Sequence, residues 1–192
     1  MNNEKGFTLV ELLGVIILLS IIISLVVPNV LKSLDTGKQR TYDILKDNMK
    51  IAAENYVSEC AMNETLYKVY VPNNDTTIGA IVDEYKTINT NLTTTLLCQV
   101  NNIASCGNSV LVSIDSQIKI PFICSKVNDN TSLTALDFAY NGLLKSNISL
   151  DGKHHIIRST DDKDVGNCLK VIINYDETKY KYSYTVDDSG CN

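Results

Sequence analysis

The chain has 192 residues, of which 44% are hydrophobic and 20% are charged, and its formal net charge is −5. Its length predicts one modest domain in addition to an apolar segment at the N-terminus. No block of Lys or Arg is long enough to hold nucleic acid or an anionic membrane, so nucleic acid is not expected as a partner except through a small local patch.

The N-terminal segment is one long apolar run with a single charge. Residues 7–27 contain Glu11 as their only charged side chain. As a helix that rises 1.5 Å per residue, roughly 21 residues extend about 31 Å, enough to cross the hydrocarbon core of a bilayer. A secretory signal peptide fits less well, because the run is longer than such signals need and no small-residue cleavage site follows it. The sequence therefore predicts a membrane helix.

The residues at the start of this run resemble a known family. Residues 6–11, Gly-Phe-Thr-Leu-Val-Glu, followed by the apolar run and Pro28, are similar to the N-terminus of type IV pilins and pseudopilins. The resemblance implies that a prepilin peptidase cuts after Gly6 and methylates the new N-terminus at Phe7. It also implies that Glu11 acts in assembly and that Pro28 bends the helix. The remainder of the chain shows no family pattern.

The chemistry of Glu11 supports such a role. A carboxylate at the centre of a membrane helix costs about 2.5–3.5 kcal/mol, and such groups usually face a partner. After a cut behind Gly6, Phe7 would carry a free α-amine one turn before Glu11. In a filament, this amine could pair with Glu11 of a preceding subunit, and breaking a buried pair costs about 3–5 kcal/mol. The alternative is a plain signal anchor, in which Glu11 stays solvated near the membrane interface.

Apolar positions keep helical spacing beyond the membrane segment. Pro28 removes a backbone donor, so it is expected to kink or locally unwind the helix. The following apolar positions lie at i, i+4, i+7 and i+11, which predicts a helix that buries one face. These positions are Leu45, Met49, Ala52 and Tyr56. One long helix is therefore predicted, ending near Cys60.

This pattern divides the chain into four parts. Residues 1–6 are the expected leader, and residues 7–28 are the half of the helix that lies in the membrane or in a filament core. Residues 29–60 are the amphipathic half, and residues 61–192 form a globular head with a C-terminal β-hairpin.

The head alternates strand and helix signals. Period-two alternation, turn residues and β-branched runs predict its elements. Strands are expected at 66–71, 110–114 and 118–124, the last two joined by 115–117, with Pro121 at an edge or bulge. Helices are expected at 78–88 and 133–144, and a hairpin pairs 168–175 with 180–186. The expected fold is α+β, with an antiparallel sheet over the amphipathic half of a pilin-like helix.

Six cysteines follow the apolar run, which favours three disulfides formed outside the cytoplasm. A zinc site is the weaker alternative, because the sequence contains no C-x-x-C pair. The resemblance to pilins favours a bond that brackets the C-terminal hairpin, since many pilins fasten this region in that way. A second pair would close a short local loop, and the third would join the helix to the sheet, although other connectivities stay open. In this order the candidate pairs are Cys168–Cys191, Cys98–Cys106 and Cys60–Cys124.

Other candidate sites are weak. His154 and His155 point to opposite faces if they lie in a strand, so they are not expected to chelate one metal ion, although they leave a small basic patch. Residues 161–166 are acidic, but they lack the order of an EF-hand calcium loop. No catalytic motif is present, so we expect neither an enzyme nor a cofactor.

The sequence thus predicts a structural subunit, a major or minor pilin, of a type IV pilus or of a related secretion or uptake filament. Its expected partners are other pilin subunits, the prepilin peptidase, a pilus assembly platform and, before assembly, the membrane. The head would lie outside the cytoplasm and, after assembly, in an extracellular filament. The alternatives are a minor pilin that acts as a binding module at a filament tip, for adhesion or DNA, and an unprocessed membrane-anchored protein.

Overall fold

The computed structural model describes residues 8–62, 66–124, 127 and 130–191. It consists of one long N-terminal helix and a head of short helices and antiparallel strands. The predicted α+β fold is therefore confirmed.

The long helix α1 spans Leu9–Ala61, which is 53 residues and about 80 Å at 1.5 Å per residue. Every residue from 8 to 41 is exposed, and burial begins at Tyr42. From there, one face of α1 packs under the head. Its buried residues are Tyr42, Met49, Ala52, Ala53, Tyr56 and Cys60, so the apolar spacing beyond Pro28 marks the core-facing stripe.

The head follows α1 with short elements. Its helices are α2 (Ile78–Tyr85), α3 (Thr94–Val100) and α4 (Ala135–Tyr140). Its strands are β1 (Leu66–Tyr70), β2 (Thr76–Thr77), β3 (Leu111–Val112), β4 (Ile118–Phe122), β5 (Thr131–Thr134), β6 (Asn147–Ile148), β7 (His154–His155), β8 (Lys170–Asp176) and β9 (Lys181–Asp187).

The strands of the described residues form four small antiparallel sheets rather than one. β1 pairs with β4, β2 with β3, and β6 with β7, while β8 lies between β5 and β9. The predicted C-terminal hairpin is confirmed as β8–β9, and this three-stranded sheet lies against α1.

Two predictions for the head are wrong. The strands expected at 110–114 and 118–124 do not pair with each other, because β3 pairs with β2 and β4 with β1. The helix expected at 133–144 is shorter, because residues 131–134 form β5. Thr134 caps α4, and its side chain accepts a hydrogen bond from the Asp137 backbone, which fixes the start of the helix at Ala135.

The described part of the head contains two hydrophobic clusters. The larger one lies between α1, α4 and the β5–β8–β9 sheet, and it includes Tyr56, Phe138 and Ile173. The smaller one is built by residues 78–120, around α2, α3 and β4. The larger cluster thus packs the head onto α1, and the smaller cluster forms a second core within the head.

Tyr56 lies at the centre of the larger cluster. Its ring meets the rings of Phe122 and Phe138 edge-on, at centroid distances of 6.0 and 6.1 Å. Its hydroxyl is buried and has no hydrogen-bond partner in the described part of the chain, and burial raises the pKa of this group.

Replacing Tyr56 with phenylalanine is therefore expected to stabilise the head. The change removes an unsatisfied buried hydroxyl and keeps both ring contacts, so the free energy of unfolding should rise by about 1 kcal/mol. Urea unfolding of the full chain in detergent micelles, followed by near-ultraviolet circular dichroism of the tyrosines, measures the change. A destabilised Tyr56→Phe variant would show that the hydroxyl is satisfied in solution.

A buried carboxylate joins β1, β5 and α4. Asp137 has no exposed surface, and it accepts hydrogen bonds from the backbone of Val69 at 2.5 Å and of Thr134 at 2.6 Å. The Thr134 hydroxyl donates a third bond at 3.0 Å. Burial raises the pKa of Asp137, while these donors act in the opposite direction. One side chain thus satisfies two backbone donors from different sheets.

Replacing Asp137 with alanine is expected to lower the free energy of unfolding by about 2–4 kcal/mol, because both backbone donors would be left buried and unsatisfied. Asp83→Ala is the matched control, since it removes an exposed carboxylate whose bridge to Lys86 is a surface pair worth under about 1 kcal/mol. Equal effects of the two substitutions in urea unfolding would contradict the role given to Asp137.

Candidate assembly segment

The start of α1 is fixed by a reciprocal pair of hydrogen bonds. The Glu11 backbone donates to the Thr8 hydroxyl at 3.3 Å, and the Thr8 backbone donates to Glu11 Oε2 at 2.9 Å. The Thr8 hydroxyl also donates to Glu11 Oε2, at 2.9 Å. This is a capping box, in which each residue satisfies a backbone donor of the other. Within one subunit, the carboxylate thus lies at the first turn of α1.

Gly6 and Phe7, the residues expected at the cleavage site, lie outside the described residues. Their roles therefore stay predictions. The described chain begins at Thr8, directly after them, and enters the helix without an intervening loop. An α-amine on Phe7 would be separated from Glu11 by the three residues of this first turn.

The first half of α1 presents an apolar surface on all sides. Leu9, Ile16 and Leu25 are each more than half exposed, and none of the strongly apolar stretch of this helix is buried in the molecule. Among the described residues, α1 is the one helix long and apolar enough to cross a membrane. A surface of this extent requires a nonpolar surrounding, either lipid or other protein.

Two polar side chains, one within this half and one directly after Pro28, donate hydrogen bonds to the preceding turn of α1. The Ser20 hydroxyl donates to the carbonyl of Ile16 at 2.8 Å. The Asn29 amide donates to the carbonyl of Leu25 at 3.1 Å. Such bonds to the preceding turn let polar residues lie in a nonpolar surrounding.

Pro28 lies inside α1, and the helix passes through it without interruption. Local unwinding, one of the two outcomes expected at this position, is therefore not seen. A bend stays a prediction, based on the missing donor and the contact of the proline ring with the preceding turn.

The head is fastened to α1 by a polar cluster at the point where burial begins. Lys46 lies 2.7 Å from a carboxylate oxygen of Asp188, and the Tyr42 hydroxyl donates to the same oxygen at 3.1 Å. The Ser159 hydroxyl donates to the carbonyl of Lys38 at 2.7 Å. These contacts bring the end of β9 and the loop after β7 to adjacent turns of α1. The hydrogen bond from Lys46, followed by that from Tyr42, lowers the pKa of Asp188.

This cluster is expected to weaken in acid. Because the folded-state pKa of Asp188 lies below its ordinary value of 3.8, its contribution to stability is present above the unfolded pKa and is lost as pH falls through the folded pKa. The side chain is partly exposed, so the loss is at most about 1 kcal/mol. Urea unfolding of the wild type and of Asp188→Asn, at about pH 6 and about pH 3, should show a larger acid loss in the wild type. Identical losses would contradict this role.

The structure contains three disulfides. They join the C-terminal end of α1 to the segment after β4, close a short loop after α3, and fasten the C-terminal tail to the start of β8. The pairs are Cys60–Cys124, Cys98–Cys106 and Cys168–Cys191. They coincide with the three pairs put forward from the sequence, which had left other connectivities open.

The two histidines of β7 have separate partners. The His154 ring contacts Tyr140 at a centroid distance of 4.2 Å, and its Nδ1 lies 2.7 Å from the Ser146 hydroxyl. Burial, followed by the charges of His155 and Lys119, lowers the pKa of His154. His155 Nδ1 lies 2.6 Å from an Asp164 oxygen. The histidines therefore do not converge on one point.

Two carboxylates of the acidic segment at 161–166 accept hydrogen bonds from other groups of the protein. Asp161 accepts two hydrogen bonds from the Arg158 guanidinium, at 2.7 and 2.6 Å, which lower the pKa of that carboxyl to about 2. Asp164 accepts from the backbone of Ile156 and Gly166. No group of three metal-binding side chains converges anywhere in the described residues.

The capping box was missed in the sequence, although its signal was present. A Thr followed three residues later by Glu, just before an apolar run, is typical of a helix start. Thr8 and Glu11 stand in this pattern, so Glu11 has a structural task within the subunit in addition to any task between subunits. The Lys46–Asp188 contact carried no such local signal, since its partners lie far apart in the chain.

Comparison with known proteins identifies the N-terminal segment. Residues 1–27 match the family described as the prokaryotic N-terminal methylation motif, the signature of the prepilin-type segment of type IV pilins and pseudopilins. Proteins with this segment are structural subunits rather than enzymes. No curated protein and no solved structure matches the chain.

Proposed function

We propose that this protein is a structural subunit of a type IV pilus or of a related pilus-like secretion or uptake filament. The observation that carries the proposal is the prepilin-type segment joined to a helix whose first half is exposed and apolar on all sides. The segment and the helix support a membrane-anchored precursor, with α1 in the bilayer and the head outside the cytoplasm. The head is stapled by disulfides, which suits an oxidising compartment.

In this proposal the chain is processed before it assembles. A prepilin peptidase removes residues 1–6 and methylates Phe7, and an assembly platform then transfers the subunit from the membrane to the filament. Residues 7–28 exchange lipid for the helices of neighbouring subunits, and residues 29–60 carry the head. The exchange requires no change in the polarity of the surroundings, since both are nonpolar.

The amphipathic half of α1 supports packing between subunits as well. Ile44 and Ile51 are more than half exposed on the side of α1 that the head leaves free. They lie seven residues apart, which is two helical turns, so they form one stripe. We infer that this stripe contacts a neighbouring helix, so the contact between subunits extends beyond Pro28.

Mass spectrometry of material sheared from cells tests the proposal. The expected result is a chain that begins with N-methylated Phe7 and is recovered in the sheared filaments. A chain that begins at Met1, or one that is found only in the membrane fraction, would contradict it and favour an unprocessed membrane anchor. Non-reducing peptide mapping of the same sample gives the disulfide pairs.

A further inference from the structure

A cavity lies between the two hydrophobic clusters of the head. Its volume is about 450 Å³, which falls in the roughly 300–1,000 Å³ range of small-molecule sites. Residues 71–73 and 115–117, beside the smaller cluster, form one wall. Residues 153–155 and 164–167, beside the larger cluster, form the other.

Three polar side chains of this cavity have no partner in the described part of the chain. Asn73 follows β1, Asp115 lies between β3 and β4, and Asn167 precedes β8. None of the three side chains makes a hydrogen bond or an ion pair with another described residue. Loops that are distant in sequence therefore bring one carboxylate and two amides to a single concave surface, where all three residues are exposed to solvent and their side chains bond to no other described residue.

The charged groups around these three are already paired. Lys153 lies 2.9 Å from an oxygen of Asp151, and His155 lies between Asp164 and the Ser149 hydroxyl, with nitrogen to oxygen distances of 2.6 and 3.3 Å. Among the described residues that line the cavity, the remaining free charge is the negative one of Asp115. A phosphate, a sulfate or a nucleic acid would meet this charge, and no described lining residue offers a free cation to offset it.

The walls of the cavity are held in place by further hydrogen bonds. Gln117 Oε1 accepts from the Tyr140 hydroxyl at 2.6 Å and from the His154 backbone at 2.8 Å. Gln117 Nε2 donates to the His154 carbonyl at 2.8 Å. These bonds join the start of β4 to β7, so both walls keep a fixed separation. Val71 is partly exposed and adds apolar surface to the lining, whereas the lining residue Leu136 is only 2% exposed.

We propose that this cavity binds a neutral sugar residue. Vicinal hydroxyls of a sugar both donate and accept hydrogen bonds, which matches a carboxylate acceptor beside amides that do both. The C–H face of the ring can lie on the partly exposed side chain of Val71, since sugars combine an apolar face with a polar rim. The head would then recognise a neutral glycan, whatever filament it belongs to.

A glycan array tests this inference on the full chain in detergent micelles. The array carries neutral oligosaccharides that end in hexoses or N-acetylhexosamines, and sialylated and sulfated oligosaccharides as anionic comparators. We expect binding to neutral glycans. Asn167→Ala should weaken binding by about threefold to tenfold, the effect of one neutral hydrogen bond. Asp115→Asn should weaken it to a similar extent, and Asn suits the left-handed backbone at this position, with a φ of 63°.

Glu84→Gln is the matched control, because it removes an exposed acid on α2 away from the cavity and should leave binding unchanged. Near-ultraviolet circular dichroism checks that each variant is folded. No binding to neutral glycans, a preference for anionic glycans, or equal binding by all variants would overturn the inference. The array uses unassembled subunits, so its result is independent of the filament proposal, which the N-terminal mass of sheared material tests separately.

Discussion

Replacing Glu11 with alanine is expected to reduce the amount of assembled filament by about 100-fold to 4,000-fold. The loss follows from the free energy of leaving one member of a buried ion pair without its partner, about 3–5 kcal/mol, at 1.4 kcal/mol for each factor of ten. In the proposed filament, that partner is the α-amine of Phe7 in a neighbouring subunit. Quantitative immunoblots of sheared and membrane fractions measure the effect.

The capping box makes a second variant necessary. Because Glu11 also accepts hydrogen bonds from Thr8, alanine removes a cap as well as a charge. Glutamine at position 11 can keep the reciprocal bonds of the box but carries no charge. If the charge aligns subunits, Glu11→Gln should fail as Glu11→Ala does. If capping is the main task, glutamine should restore assembly, and that outcome would contradict the pairing.

Two controls complete this test. Thr8→Ala removes the cap and keeps the acid, so it should cost about 1 kcal/mol and reduce assembly by less than about tenfold. Asp35→Ala removes an exposed acid from the same helix and should assemble like the wild type. The membrane pool of every variant should begin at Phe7, which shows that a defect lies in assembly rather than in processing.

The three disulfides are expected to differ in their effect on stability in a fixed order. In the chain-entropy model, the stabilisation grows with the length of the loop that a bond closes. The sequence separations are 64 residues for Cys60–Cys124, 23 for Cys168–Cys191 and 8 for Cys98–Cys106. Replacing both members of a pair with alanine should therefore lower the free energy of unfolding by about 4, about 3 and about 2.5 kcal/mol, in that order.

The Cys60–Cys124 bond also connects two separate parts of the fold. It joins the C-terminal end of α1 to the segment directly after β4, so it connects the helix to the smaller cluster through β4. Urea unfolding by near-ultraviolet circular dichroism measures the three losses, and non-reducing mass spectrometry checks that the other two bonds persist in each variant. If removal of Cys98–Cys106, which closes the shortest loop, lowered the free energy of unfolding the most, the chain-entropy model would be contradicted.

The N-terminal helix and the C-terminal hairpin were predictable because their signals are local. A run of apolar residues with one acid defines a membrane-length helix whatever lies around it, and the 3.6-residue spacing of Met49, Ala52 and Tyr56 defines its buried face. In the hairpin, β-branched and aromatic residues flank a short turn, which fixes both strands and their pairing. These elements needed no information about distant residues.

Partner choice among the other strands was not predictable. Alternation identifies a strand but does not say which strand lies beside it, so β3 and β4 looked like a hairpin although each pairs with an earlier strand. The same limit applies to Thr131–Thr134, which lies next to a helix in the chain and pairs with β8. Long-range pairing depends on which surfaces can be buried together.

The sequence by itself determined the prepilin-type segment of this protein, since Gly6, Phe7 and Glu11 stand in a fixed local pattern at the start of an apolar run. Tertiary structure alone decided the contacts between distant residues, namely the buried bonds of Asp137, the Lys46–Asp188 contact and the cavity between the two clusters. The physical reason is the separation along the chain of the residues that interact. Helix formation and membrane insertion follow from neighbours along the chain, whereas a buried carboxylate or a binding cavity exists only where segments far apart in sequence are packed together.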